Sequence, residues 1–257
     1  MWKTLRVAVL LLVLLIVAAQ AWLDRVRTTS WRQTVSVGAF PVNADGSDVA
    51  AHYIARLRLT DLLEVQTFIE QQARRYGVTV AVPIELSLYP EQAAPPALPP
   101  GASWLSRAWW SLELRWYRHR LLARFKRAPP QIVLFLLYHD PARADTLPHS
   151  AGLQRGLSVV AHLFAAREQN AQNNIVMAHE LLHTFGATDK YDPLTGAPSY
   201  PDGFADPNQQ PRFPQLRAEI MAGRTPLAAD QAAMPDSLEQ ALVGPLTARE
   251  IGWASNK

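Results

Sequence analysis

Cysteine is absent from all 257 residues. That excludes disulfides, thiolate metal ligands and cysteine nucleophiles together. Any metal this chain holds must be held by His, Asp or Glu. Charge is also scarce, at 18% of residues against 49% hydrophobic, which describes a folded protein with something greasy attached. Methionine occurs only four times, so the position of each one carries information. Acids are almost missing from residues 102–127, where seven Lys and Arg meet the single acid Glu113, whereas residues 170–257 carry ten acids against six bases. A uniform nucleic-acid binder does not distribute charge that way, and nucleic acid is excluded as a partner. No internal repeat is present. The length suits one sizeable domain with extensions.

The one long apolar run lies at the start, from Val7 to Leu23, interrupted only by Gln20 and preceded by Lys3 and Arg6. Seventeen residues sit at the lower edge of what spans a bilayer as a helix. Residues 1–27 therefore read as a signal anchor or a signal peptide. Ala19-Gln20-Ala21 has the small-x-small form of a cleavage site. Trp22, Leu23, Arg25 and Arg27 instead continue the run into an interfacial flank, and the retained anchor is the preferred reading. The expectation is a single-pass membrane protein with residues 28–257 on the exported side, periplasmic or extracellular, or a secreted protein if the segment is cleaved.

Beyond it, Thr34–Val42 reads as a strand ended by a Pro and a polar loop. Asp61 is expected to open a helix with Glu64 as its capping-box partner and Gly77 as its stop. Alternation from Val78 to Leu88 predicts a strand with one buried face. Residues 131–138, QIVLFLLY, predict a central strand buried on both faces, and extended pieces are expected around Ser150–Arg155 and Leu157–Phe164. The fold class is α/β (α+β), a twisted mixed sheet over a helix.

An insertion at 90–130 interrupts this order. Pro90–Gly101 is a stiff Pro-rich linker. Residues 102–127 hold four of the eight tryptophans and, as a helix, carry two apolar stripes. Leu105, Trp109, Leu112 and Trp116 form one; Trp110, Leu114, Tyr117 and Leu121 form the other. An ordinary surface helix needs one stripe. Either the helix is wedged between two parts of the protein, or one stripe packs on the domain while the other meets a lipid bilayer.

The most specific signal is HELLHTFGATD, His179 to Asp189. Four residues along a helix turn about 400°, so His179 and His183 leave one face a turn apart. Their imidazoles can converge on one tetrahedral zinc ion. Glu180, about 100° round, is placed to act as general base towards a water on the metal. Gly186 suits a helix end that turns the chain sharply back, and Asp189 then arrives as the third ligand. Glu219 is the rival third ligand. Asn173 or Asn174 could cap the helix, and Thr247 with Glu250 reads as a capping box for a short terminal helix that packs Ile251 and Trp253 inwards.

The pattern H-E-x-x-H-x-x-G-x-x-D, with DKYD after the glycine echoing a D-x-Y continuation and Met221 in AEIMAGR thirty-two residues after Asp189, resembles the metzincin zinc metalloproteases, and most of all the small snapalysin-like bacterial ones. The resemblance covers about residues 170–224. It implies a zincin fold, a catalytic zinc held by His179, His183 and Asp189, Glu180 as catalytic residue, and Met221 in a turn beneath the metal. Tyr191, Tyr200 and Arg224 are candidates to stabilise the oxyanion. Asp192, Asp202 and Asp206 could hold calcium, although a solvated acidic loop is the commoner outcome.

Two functions follow. One is a membrane-associated zinc metallopeptidase acting on a peptide or protein substrate bound along an edge strand near Ser150–Arg155. The other is a non-catalytic membrane-anchored scaffold with zinc as a staple. A staple closes the fourth position with a protein ligand, for which His149 and His162 are the candidates.

Overall fold

The computed structural model describes residues 28–98, 101, 103–125, 128–143, 146–153 and 157–254, with isolated positions at 2, 6, 7, 11 and 15. The apolar run 7–23 therefore falls almost wholly outside the described residues. Among those described, no helix is long and apolar enough to cross a membrane.

The elements follow one another as β1 (Val35–Asn43), α1 (Asp48–Arg56), α2 (Leu63–Arg75), β2 (Ile84–Leu88), α3 (Trp104–Leu122), β3 (Ile132–His139), β4 (Ala151–Leu153), β5 (Ser158–Phe164), α4 (Asn170–Phe185), β6 (Ala218–Glu219), β7 (Thr225–Ala228), β8 (Gln231–Ala233), β9 (Ala241–Leu242) and α5 (Pro245–Glu250). Five strands form a mixed sheet in the order β2-β1-β3-β5-β4. The first four are parallel, and β4 alone runs antiparallel, on the edge beside β5. β3 is central and buried on both faces, as its unbroken apolar run requires.

One face of the sheet carries Val37, Ala39, Leu134, Leu136, Val159 and Leu163, which pack with α1, α2 and α4 into the main core. The opposite face carries Phe40, Val42, Val133, Phe135 and Val160, sealed by Trp110, Leu114 and Leu121 of α3. The insertion is thus a covering layer of the sheet, and the Pro-rich linker is strapped to it. Trp110 Nε1 donates to the Pro96 carbonyl at 2.7 Å and the Tyr117 hydroxyl to the Ala93 carbonyl at 2.6 Å. Only the second stripe is used this way. The first remains exposed, so α3 is not wedged between two bodies among the described residues.

Local expectations differ from the structure where a tertiary partner competes. The strand expected over 78–88 exists only as Ile84–Leu88, because β1 begins at Val35, whose amide donates to the Pro83 carbonyl at 2.9 Å, and residues 78–82 have no strand partner among the described residues. Asp61 closes a 3₁₀ turn by accepting the Arg58 amide. Glu64 is no capping-box partner: it reaches across to Asn174 Nδ2 at 2.7 Å. Gly77 ends α2 with φ +78°, as expected. The terminal helix starts two residues earlier than Thr247, at Pro245, so Thr247 and Glu250 are free to bind elsewhere. Ile251 and Trp253 are buried in the main core, and Trp31 donates its indole N–H to the Ile251 carbonyl at 2.6 Å.

Candidate metal centre

α4 lies against β5 and β4, and its inner face of Ile175, Ala178, Leu181, Leu182 and Phe185 is buried in the core. Asn173 and Asn174 are interior residues of the helix and cap nothing. Asn173 pairs with both the N–H and the C=O of Phe164, pinning α4 to the end of β5. Gly186 takes φ +107° and ends the helix, with the Ala187 amide donating to the Leu182 carbonyl at 3.2 Å. Only a residue without Cβ adopts that backbone at little cost. The chain doubles back, and Asp189 comes to the two histidines.

His179 Nε2 and His183 Nε2 are 3.2 Å apart, and each is 3.2 Å from Asp189 Oδ1. His179 Nδ1 lies 2.9 Å from the Ile220 carbonyl and His183 Nδ1 lies 2.8 Å from the Ala187 carbonyl. A carbonyl can only accept, so both Nδ1 atoms carry the proton and both Nε2 atoms turn a lone pair towards the carboxylate. Two lone pairs and an anionic oxygen at mutual van der Waals distance repel one another unless a cation sits among them. A tetrahedral ion with bonds of about 2.0 Å sets its donors about 3.3 Å apart, which the observed triangle meets. The set fits a divalent metal, and among the described residues it is the only such group of three.

The two carboxyls at the site shift in opposite directions, although burial raises both. It pushes Glu180 above its usual range, against the pull of the two histidines. It also acts upwards on Asp189, but where protons on the His179 and His183 rings take the cation's place, their hydrogen bonds outweigh it and hold that carboxyl well below the usual range. Glu180 Oε2 is buried with no hydrogen-bond partner. It lines, with His179, His149, His162 and Tyr191, a cleft of about 300 Å³.

Glu219, the rival third ligand, lies outside this group among the described residues. Its side chain is fully buried, and Oε2 accepts the amides of Met221 and Ala222 at 2.6 and 3.0 Å. Oε1 accepts the Gly244 amide at 3.0 Å and the Thr247 hydroxyl at 2.7 Å. It thereby holds the Ile220–Ala222 turn, with Gly223 at φ +69° just beyond, and that turn presents the Ile220 carbonyl to His179. Met221 is fully buried within that turn.

Of the three oxyanion candidates, only Tyr191 lies at the site, its ring stacked 6.4 Å from that of His179. Tyr200 stacks under Arg212 and its hydroxyl points to the Pro207 carbonyl. Arg224 borders a separate cavity with Phe213 and Leu227. Asp192, Asp202 and Asp206 do not converge among the described residues; Asp192 accepts the Leu194 amide and Asp206 the Asn208 amide, each closing a turn. His162 is bound by its Nδ1 to His139 Nε2 at 2.9 Å, and neither it nor His149 belongs to the metal group. Burial, then the neighbouring His139, lowers its pKa to about 4, so it stays neutral near pH 7.

Two supporting residues carry no motif. Lys190, next to Asp189, is buried and joins Glu250 Oε2 and the Thr188 hydroxyl, each at 2.7 Å. This clamps the third-ligand loop to α5, and nothing local in the sequence announces it. Gly152 of β4 did offer a signal, since a glycine inside a strand often marks a close backbone approach. A Cβ there would stand 2.2 Å from the Glu180 carbonyl oxygen and 2.7 Å from His183 Cβ. Gly152→Ala is therefore expected to push α4 off β4. Overpacking of this kind costs about 1–3 kcal/mol, and a displacement near 1 Å at a reacting centre costs about a hundredfold in rate. Denaturant titration and divalent-metal affinity on that variant check it, and wild-type values for both would remove Gly152 from the site's support.

No protein-family profile matches the sequence, and no curated protein matches it. Among solved structures, the chain is similar to wild-type OgpA from Akkermansia muciniphila, at 14% identity and a TM-score of 0.42. It is also similar to catalytically inactive OgpA from the same organism in complex with an O-glycopeptide substrate, glycodrosocin, at 12% identity and a TM-score of 0.40. Each match covers 88% of this chain, which spans 62% of the length of those proteins.

Proposed function

We propose that this chain is a zinc metallopeptidase, in which His179, His183 and Asp189 hold the metal and Glu180 is the catalytic base. What carries the reading is the 3.2 Å triangle of donors beside a buried carboxylate oxygen that has no protein partner. The likeness of residues 179–189 and Met221 to the metzincin pattern supports the same assignment. When bound, zinc supplies positive charge that lowers the pKa of water and polarises a peptide carbonyl. Glu180 would take a proton from the attacking water and hand it to the departing amine, a role suited to a carboxyl whose pKa burial has raised. Tyr191, against His179 and in the same cleft, is the side chain best placed to donate to a developing oxyanion.

The substrate class is an extended peptide. β4 is the edge strand of the sheet and lies directly on the turn of α4 that carries Glu180 and His183. A peptide adding to β4 would satisfy that edge and run past the donors. The scaffold alternative needs a fourth protein ligand, and among the described residues the metal group has none. The apolar run 7–23 supports attachment of the whole to a membrane.

The test is removal and return of metal. Purified protein is expected to carry one zinc per chain, to cleave members of a mixed peptide library, to lose cleavage on treatment with 1,10-phenanthroline, and to regain it with added zinc. A chain that binds zinc stoichiometrically but cuts nothing in the library would favour the scaffold.

A further inference from the structure

We propose that the outer face of α3 is a docking surface for an anionic lipid bilayer. It rests on a different part of the molecule from the metal centre and stands whether or not the peptidase assignment does. Trp104, Leu105, Trp109, Leu112 and Trp116 are 57–76% exposed and fall along one side of the helix, opposite the stripe that seals the sheet. Continuous apolar surface of this kind marks an interaction site.

Its chemistry selects the partner. Arg107 and Arg120 are exposed on the same helix and Arg124 just past its end, and the Arg120 guanidinium sits 4.7 Å over the Trp116 ring. At the C-terminal end of the stripe, Trp116, Tyr117, Arg120 and Arg124 border a recess of about 180 Å³, with two guanidinium groups at the rim for a phosphate. The helix's one acid, Glu113, accepts the Trp109 indole N–H at 2.7 Å. Tryptophan rings with arginines beside them are what the headgroup layer of a negatively charged membrane favours. The rival occupants lack that match. The chain's own 7–23 segment has no charged residue, and a second copy's α3 would bring its arginines against these.

The missing cysteines give a clean probe. Leu112→Cys in the full chain supplies a single thiol at a position exposed enough to take a spin label. The label's collision rates with oxygen and with a water-soluble nickel complex are then read on vesicles of phosphatidylcholine alone and of phosphatidylcholine with phosphatidylglycerol. Because residues 7–23 can hold the chain on either vesicle, the label reports the helix face rather than attachment. The expected result is a label moved from water into lipid on the anionic vesicles only. A label at Leu194, 93% exposed on a distant loop, should stay in water. Combining Leu112→Cys with Arg120→Glu and Arg124→Glu should cut the lipid-exposed fraction at least about tenfold, with circular dichroism confirming the fold. A label equally wet on both vesicles overturns the proposal. So does a label already shielded before lipid is added, which would assign the face to the chain's own segment or to a second copy.

Discussion

Glu180→Gln is expected to lower peptide cleavage by about two to four orders of magnitude, the usual contribution of a positioned general base, while leaving zinc bound. Glutamine keeps the shape of the side chain and removes only its capacity to take a proton. The donors at 3.2 Å do not include Glu180, so metal content should stay near one per chain. Stability should not fall, and a small gain is expected, because a carboxylate desolvated on α4 is replaced by a neutral amide. The loss should lie in kcat with KM nearly unchanged, since the proton moves only on the way to the transition state. Cleavage within tenfold of wild type, with zinc retained, would place the base elsewhere; His162, neutral in the same cleft, would be next to examine.

The centre was legible because almost all of it is local. His179, Glu180 and His183 share two turns of helix, and Gly186 and Asp189 follow within six residues of His183, so helical period and one positive φ suffice to bring three donors together. β3 was legible for a related reason, since an apolar run of that length has few other places to go. The alternation at 78–82 was equally regular, but a strand exists only where a neighbour pairs with it, and β1 starts opposite Ile84. Glu64, Thr247 and Glu250 each had the spacing of a cap, yet each binds a residue far away in sequence. Spacing identifies a carboxylate's local option and cannot reveal a better-placed distant donor. The two stripes of α3 were visible as stripes, but which one faces the sheet depends on Phe40, Val133 and Phe135 across the gap.

Glu219 shows the same limit with the largest consequence for stability. It was the rival ligand by residue type, and the structure makes it the post on which the methionine turn hangs. Glu219→Ala would leave the amides of Met221 and Gly244 and the Thr247 hydroxyl without their acceptor in a fully buried place, while the Ala222 amide keeps the Glu219 carbonyl at 3.0 Å. Each stranded donor costs about 1–3 kcal/mol. Removing the buried charge offsets part of that, so the net loss is expected at about 3–5 kcal/mol. Glu219→Gln keeps the volume but turns an NH₂ towards two donors, and should cost roughly half as much. In both variants the Ile220 carbonyl would lose its fixed position, His179 its orientation, and zinc affinity should fall about 10–100-fold. Denaturant titration of the metal-free protein separates the two roles of this residue. A turn-holding Glu219 is needed with or without metal, so apo stability must fall. If both variants match wild type in apo stability and lose only zinc, Glu219 is a ligand after all, and the assignment of Asp189 as the third donor falls.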